Sequence, residues 1–155
     1  MRDARYDGIA DWYDERVHGD AHPSDCVVCE GLRSIDDRRP GLVVGLGCGT
    51  AAHWQAICSR DRRLIGVDIS AQLLRIASTR LPATILGDAR RPPLRPGSVD
   101  VVATTLHTDV ASAEELFSAV YDLLRPEGTA LVVGAHPCLN NRVRLPERDD
   151  LGVEL

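Results

Sequence analysis

The chain has 155 residues, 44% of them hydrophobic and 26% charged, which predicts one globular domain and excludes a disordered or fibrous polymer. A net charge of −5 speaks against the basic field that general nucleic-acid binding requires. No apolar run reaches the ~20 residues of a membrane span, and the charged opening MRDARYDGIADWYDER has no signal-peptide core, so a cytoplasmic setting is expected.

Residues Tyr6 to Arg33 read as one or two helices broken near Pro23, with Ser24 as a helix cap and Val27, Val28 and Leu32 on one face. Cys26 and Cys29 lie one helical turn apart within this stretch. A structural zinc site needs four ligands, and no second such pair follows, so both read as core residues and no metal is expected. From Gly41 the pattern alternates. GLVVGL is a first strand, and Thr50 to Ser59 a helix opened by a threonine cap. RLIGVD is a second strand, followed by the Ser70-capped helix AQLLRIASTR. ATIL is a third strand, followed by the loop GDARRPPLRPG, whose Arg90, Arg91 and Arg95 read as solvated. SVDVVATT is a fourth strand. Ser112 and Glu115 form a capping box for a helix ending near Leu124, stopped by Pro126 and Gly128. TALVVGA is a fifth strand.

Apolar, β-branched strands separated by helices predict a parallel sheet covered on both faces. A ligand then sits beyond the carboxyl ends of the strands, where strand order reverses. The glycine turn in VVGLGCGTAAHW falls at that point; Gly47, Gly49 and Ala52 also satisfy the G-x-G-x-x-A pattern of dinucleotide sites. Asp68 ends the second strand about 20 residues later, where an acid accepts from ribose hydroxyls. Its alternative role is that of an acid at the N-terminus of the next helix, before Ser70, stabilised by the helix dipole. ILGDA adds a carboxylate, Asp88, at the end of the third strand. There it would accept from the exocyclic amine of adenine, with the Ala89 N–H donating to a ring nitrogen.

VVGLGCGT, GVDIS, LGDA, SVDVVATTLH and LLRPEGTALVV together resemble the successive motifs of class I S-adenosylmethionine-dependent methyltransferases, and YDGIADWYDE resembles the entry segment of small-molecule members. The resemblance implies an α/β, Rossmann-like, doubly wound sheet of five parallel strands in order 3-2-1-4-5, without the usual C-terminal antiparallel pair. It divides the single domain into a helical cap segment (1–40), a cofactor-binding core (41–138) and an irregular tail (139–155). It implies S-adenosyl-L-methionine as cofactor. Gly47, Cys48 and Gly49 would pass under the methionine portion, Asp68 would bind ribose, and Ile69 would lie against adenine. Asp88 and Ala89 would read the adenine edge, Thr105 would line the pocket, and Tyr13 would cover it. His107, just past the fourth strand, is the first candidate base, and His136, just past the fifth, the second. The family usually has an acid where Gly45 stands and a glycine where Ala51 stands.

HPCLNNRVRLPERDDLGVEL reads as polar and irregular, which predicts a truncated or degenerate acceptor half and an exposed fifth-strand edge. A homodimer or a partner chain covering that edge is the alternative. Three functions follow: methyl transfer to an oxygen or nitrogen of a small-molecule acceptor, an inactive cofactor- or partner-binding remnant, and, least favoured, a nicotinamide-dependent oxidoreductase.

Overall fold

The computed structural model describes residues 4, 6–18, 23–35, 41–54, 62–105 and 113–134. Their elements run α1 (Ala10–His18), α2 (Pro23–Arg33), β1 (Gly41–Leu46), β2 (Arg62–Asp68), α3 (Ala71–Ala77), β3 (Ala83–Leu86), β4 (Val99–Thr105), α4 (Ala113–Leu123) and β5 (Leu124–Val133). The five strands form one sheet in the order β3-β2-β1-β4-β5, every neighbouring pair parallel. The expected order is therefore the observed one. It reverses between β1 and β4, so the crevice at the carboxyl end of β1 is the place where this architecture accepts a ligand.

The period-2 alternation of each strand sends its side chains to two separate cores. On one face Val43, Leu64 and Ala103 pack with Val28 and Leu32 of α2, Trp54, and Leu74 and Ala77 of α3. On the other, Val44, Leu46, Val67 and Val102 pack with Leu116, Val120 and Leu123 of α4. Both cores draw on consecutive residues of β1, which explains why GLVVGL is apolar without interruption.

Several boundaries differ from the sequence reading, each for a local reason. α2 opens on Pro23, whose missing N–H costs nothing in a first turn, so Ser24 lies inside the helix rather than capping it. Thr50 does not cap: its buried hydroxyl has no hydrogen-bond partner among the described residues. Residues 55–59, the rest of that expected helix, and Ser112 of the expected capping box lie outside the described residues. Ser70 does cap α3, its Oγ accepting from the Leu73 N–H at 3.2 Å. β5 begins at Leu124, immediately after α4. Pro126 and Gly128 fall in an irregularity where Val99 pairs with Leu124 but Val101 pairs with Thr129. Regular pairing then follows TALVV, as expected.

Candidate functional site

The turn after β1 is built by backbone conformation. Gly47 and Gly49 adopt φ of 64° and 56°, a region that L-residues enter at a cost of about 1–2 kcal/mol. The N–H groups of Gly47 and Cys48 both donate to the Val67 carbonyl, at 2.7 and 3.1 Å, and this ties the turn to β2. A Cβ on Gly49 would meet Tyr13 Cε1 at 3.8 Å and nothing closer. The turn is therefore open on that side, with Tyr13 of α1 above it.

Ala51 also has positive φ, 60°, at the position where the family usually has glycine. Its methyl is fully buried. The strain of the left-handed backbone (about 1–2 kcal/mol) and the burial of a methyl (about 0.8 kcal/mol) act in opposite directions. Ala51→Gly is accordingly expected to stay within about 1 kcal/mol of the parent in urea unfolding. Ala51→Val should lose at least about 2 kcal/mol, because a β-branched residue does not fit this φ. Equal stability of the two variants would contradict the left-handed assignment.

Asp68 joins the turn to the next helix. Its carboxylate is buried. One oxygen accepts from the Gly49 N–H and the other from the Ser70 N–H, each at 2.9 Å. Asp68 thus holds the cap residue of α3 while standing at the carboxyl end of β2. Ser70 Oγ in turn donates to Asp7 at 2.6 Å, and the Gly8 N–H donates to Gln72 at 2.8 Å. The segment before α1 is thereby held against the start of α3. Farther along, Arg80 makes a two-pronged pair with Asp14 at 2.6 and 2.8 Å and donates to the Thr50 carbonyl at 2.8 Å. These contacts hold α1 over the glycine turn, and Asp7, Asp14 and Arg80 were not singled out from sequence.

Cys48 is buried, and a Cβ on Gly66 would stand 2.6 Å from its sulfur, so that glycine makes room for it. Burial pushes its thiol pKa up, and the Asp68 charge pushes the same way. Cys48 is therefore a neutral packing group and no nucleophile. Trp54 is buried over Gly45: a Cβ there would lie 2.5 Å from Cζ2 of the indole. The position where the family usually has an acid is closed by an aromatic ring.

Asp88 follows β3 and is only partly exposed. Its Oδ1 accepts from the Arg90 N–H at 2.9 Å, and its two oxygens receive Arg90 Nε at 3.0 and 3.1 Å and Arg90 Nη2 at 2.6 Å. Hydrogen bonds from the Arg90 side chain hold the Asp88 carboxyl below the usual carboxylate range. Arg90 also reaches Glu115 of α4 at 3.4 Å. Arg90, Arg91 and Arg95 are all exposed, as the sequence reading expects, and Arg90 in addition folds back onto Asp88, two residues earlier. Ala89 packs against the α4-side core. Ile69 is 58% exposed beside Asp68. Thr105 is half-buried at the end of β4. His107 and His136 lie outside the described residues.

The arrangement fits an adenosine-type cofactor. A buried carboxylate stands at the end of β2, and an open glycine turn lies beside it. The Thr50 and Thr104 hydroxyls are buried near this turn without hydrogen-bond partners among the described residues, although buried hydroxyls are normally paired. Thr104 stands in register with Leu46, the last residue of β1.

The fold is that of the class I, Rossmann-like methyltransferases. A family model for a methyltransferase domain matches residues 43–128, and the chain belongs to that family, whose cofactor is S-adenosyl-L-methionine. Isonocardicin synthase of Nocardia uniformis subsp. tsuyamanensis is 30% identical over 107 residues, covering 65% of this chain and 36% of that protein. Two solved structures share the fold. A Methanococcus maripaludis protein assigned as an S-adenosyl-L-methionine-dependent methyltransferase superposes with a TM-score of 0.72 at 17% identity, covering 87% of this chain and 67% of its own. A Haloferax volcanii protein, solved in complex with the Trm112 methyltransferase activator, gives a TM-score of 0.71 at 22% identity, with coverages of 85% and 60%. The chain thus spans little more than a third of the curated relative it matches.

Proposed function

We propose that this chain transfers the methyl group of S-adenosyl-L-methionine to an oxygen or nitrogen of a small-molecule acceptor. The observation that carries the proposal is the Asp68 carboxylate, buried at the end of β2 and tied to the glycine turn at 2.9 Å. The cofactor's sulfonium is an already activated methyl donor. The protein's task is then to hold acceptor and donor in line and to take up a proton where the acceptor carries one. Asp68 would accept from the ribose hydroxyls, with Ile69 against the adenine. Asp88 and the Ala89 N–H would read the adenine edge. Gly47, Cys48 and Gly49 would pass under the methionine portion, with Tyr13 above and Thr105 lining the pocket. His107 would withdraw the acceptor proton, with His136 as the second candidate.

Among the described residues, no helix is long and apolar enough to cross a membrane. A second copy or a partner chain would cover the β5 edge. Phe117 and Tyr121 of α4 and Val132 of β5 are exposed apolar residues that support such a contact, Tyr121 being 80% exposed. A specific observation favours the second reading, an inactive remnant that binds cofactor or a partner. Trp54 occupies the space of the family's usual acid, and Arg90 occupies Asp88.

Isothermal titration with S-adenosyl-L-methionine is expected to show saturable one-to-one binding. An assay with methyl-labelled cofactor against small alcohols, phenols and amines should then release S-adenosyl-L-homocysteine. His107→Ala should lower kcat about 10²- to 10⁴-fold with the cofactor Kd unchanged. Binding without turnover would select the remnant. No binding at millimolar cofactor would overturn both the enzyme and the cofactor-binding remnant, and select a partner-binding one.

A further inference from the structure

Asp88 has room for about four hydrogen-bond donors on its two oxygens, as any carboxylate does. The Arg90 N–H, Nε and Nη2 together take most of that capacity, the shortest contact being 2.6 Å. Arg90 is held from a second side by Glu115, whose helix packs on the sheet through the next residue, Leu116. The guanidinium is thus clamped between a carboxylate at the end of β3 and one on α4. It covers the group that would accept the adenine amine.

We propose that Arg90 is an internal latch on the adenine subsite: its guanidinium competes with the 6-amino group of the cofactor for Asp88, and Glu115 sets how readily it swings away. The inference rests on Asp88 serving as the adenine acceptor. Binding requires Arg90 Nη2 to leave Asp88, and the free energy of that ion pair is subtracted from the affinity for any ligand that presents a donor there. The subtraction is small, because a partly exposed ion pair is worth little in water, but it is selective. A ligand with no donor at that position leaves the latch shut and pays nothing. Arg90 therefore acts through Asp88 as a positioning residue, and lowers the discrimination between adenine and a purine that lacks the amine.

The test compares S-adenosyl-L-homocysteine with its analogue in which hydrogen replaces the 6-amino group, titrated into the parent protein, Arg90→Ala and Glu115→Gln. Arg90→Ala is expected to tighten S-adenosyl-L-homocysteine about three- to fivefold and leave the analogue unchanged. Glu115→Gln should shift S-adenosyl-L-homocysteine in the same direction by a smaller factor. Far-ultraviolet circular dichroism confirms that each variant is folded. Unchanged or weaker binding of S-adenosyl-L-homocysteine to Arg90→Ala overturns the latch, and so does equal tightening of both ligands. Failure of every protein to bind either ligand overturns the cofactor reading itself, and the latch with it.

Discussion

Asp68→Asn is expected to lose about 1–3 kcal/mol of stability and to bind S-adenosyl-L-methionine at least about tenfold more weakly. The two losses have different origins. In the folded chain both oxygens of Asp68 accept from backbone N–H groups, one on Gly49 and one on Ser70. An asparagine offers one acceptor and one donor. Whichever way the amide turns, its NH2 faces an N–H, so either Gly49 or Ser70 loses its partner in a buried place. That costs about 1–3 kcal/mol, or roughly 2–10 °C in Tm for a domain of this size.

The affinity loss comes from the ligand side. A carboxylate accepts from two ribose hydroxyls more strongly than a neutral amide does, and in the proposed binding mode the glycine turn it anchors would lie beneath the methionine portion. Asp68→Ala should be worse on both counts, because both donors are then orphaned. Thermal denaturation and titration calorimetry on the same preparations separate the effects. A Tm within about 1 °C of the parent for Asp68→Asn would show that the carboxylate is not the joint between turn and helix.

Much of this framework was legible before any coordinates. β-branched runs ending in glycine, aspartate or threonine marked β1, β2 and β4 to within a residue or so, and right-handed crossovers left few orders for the sheet. The place of Asp68 was legible because periodicity reveals a strand end. Local backbone demands were legible too: Ser70 capped α3 as expected, and Ala51 stood out as a side chain in a glycine's place. Contacts between side chains from separate elements were not. Nothing in the spacing shows that Arg80 reaches Asp14, 66 residues earlier, or that Asp7 accepts from Ser70, 63 residues later. The Asp88–Arg90 pair is close in sequence, but loop arginines usually solvate. This one stays exposed, and its contacts with Asp88 and with Glu115 depend on the loop conformation and on where α4 lies. Pro126 and Gly128 misled for another reason. They do mark a break, but it falls within a strand pairing rather than in a loop between helix and strand.

The clearest case of a departure made intelligible by packing is Gly45, and it gives the second large expected effect. Gly45→Asp restores the acid usual in the family, yet it should destabilise this chain by more than about 3 kcal/mol. A Cβ at that position would lie 2.5 Å from Trp54 Cζ2, well inside the distance real Cβ atoms keep, and the indole is buried with sheet and α2 around it. Forcing extra atoms into a filled core costs about 1–3 kcal/mol, and placing an unpaired carboxylate there adds a desolvation cost of at least similar size. The glycine and the tryptophan are therefore one feature, and neither can be judged alone. Trp54→Leu by itself should cost about 2–4 kcal/mol, as a large-to-small core change. Combined with Gly45→Asp, it should cost less than the sum of the two single losses, by at least about 1 kcal/mol, because the shortened side chain vacates the space the carboxylate needs. Urea unfolding of the four proteins measures this coupling. Strict additivity would mean that Trp54 does not fill the site of the missing acid. With coupling present, the double variant carries a carboxylate at the end of β1, beside the glycine turn. It should then bind S-adenosyl-L-methionine more tightly than Trp54→Leu alone, since the methionine amino group gains a charged acceptor.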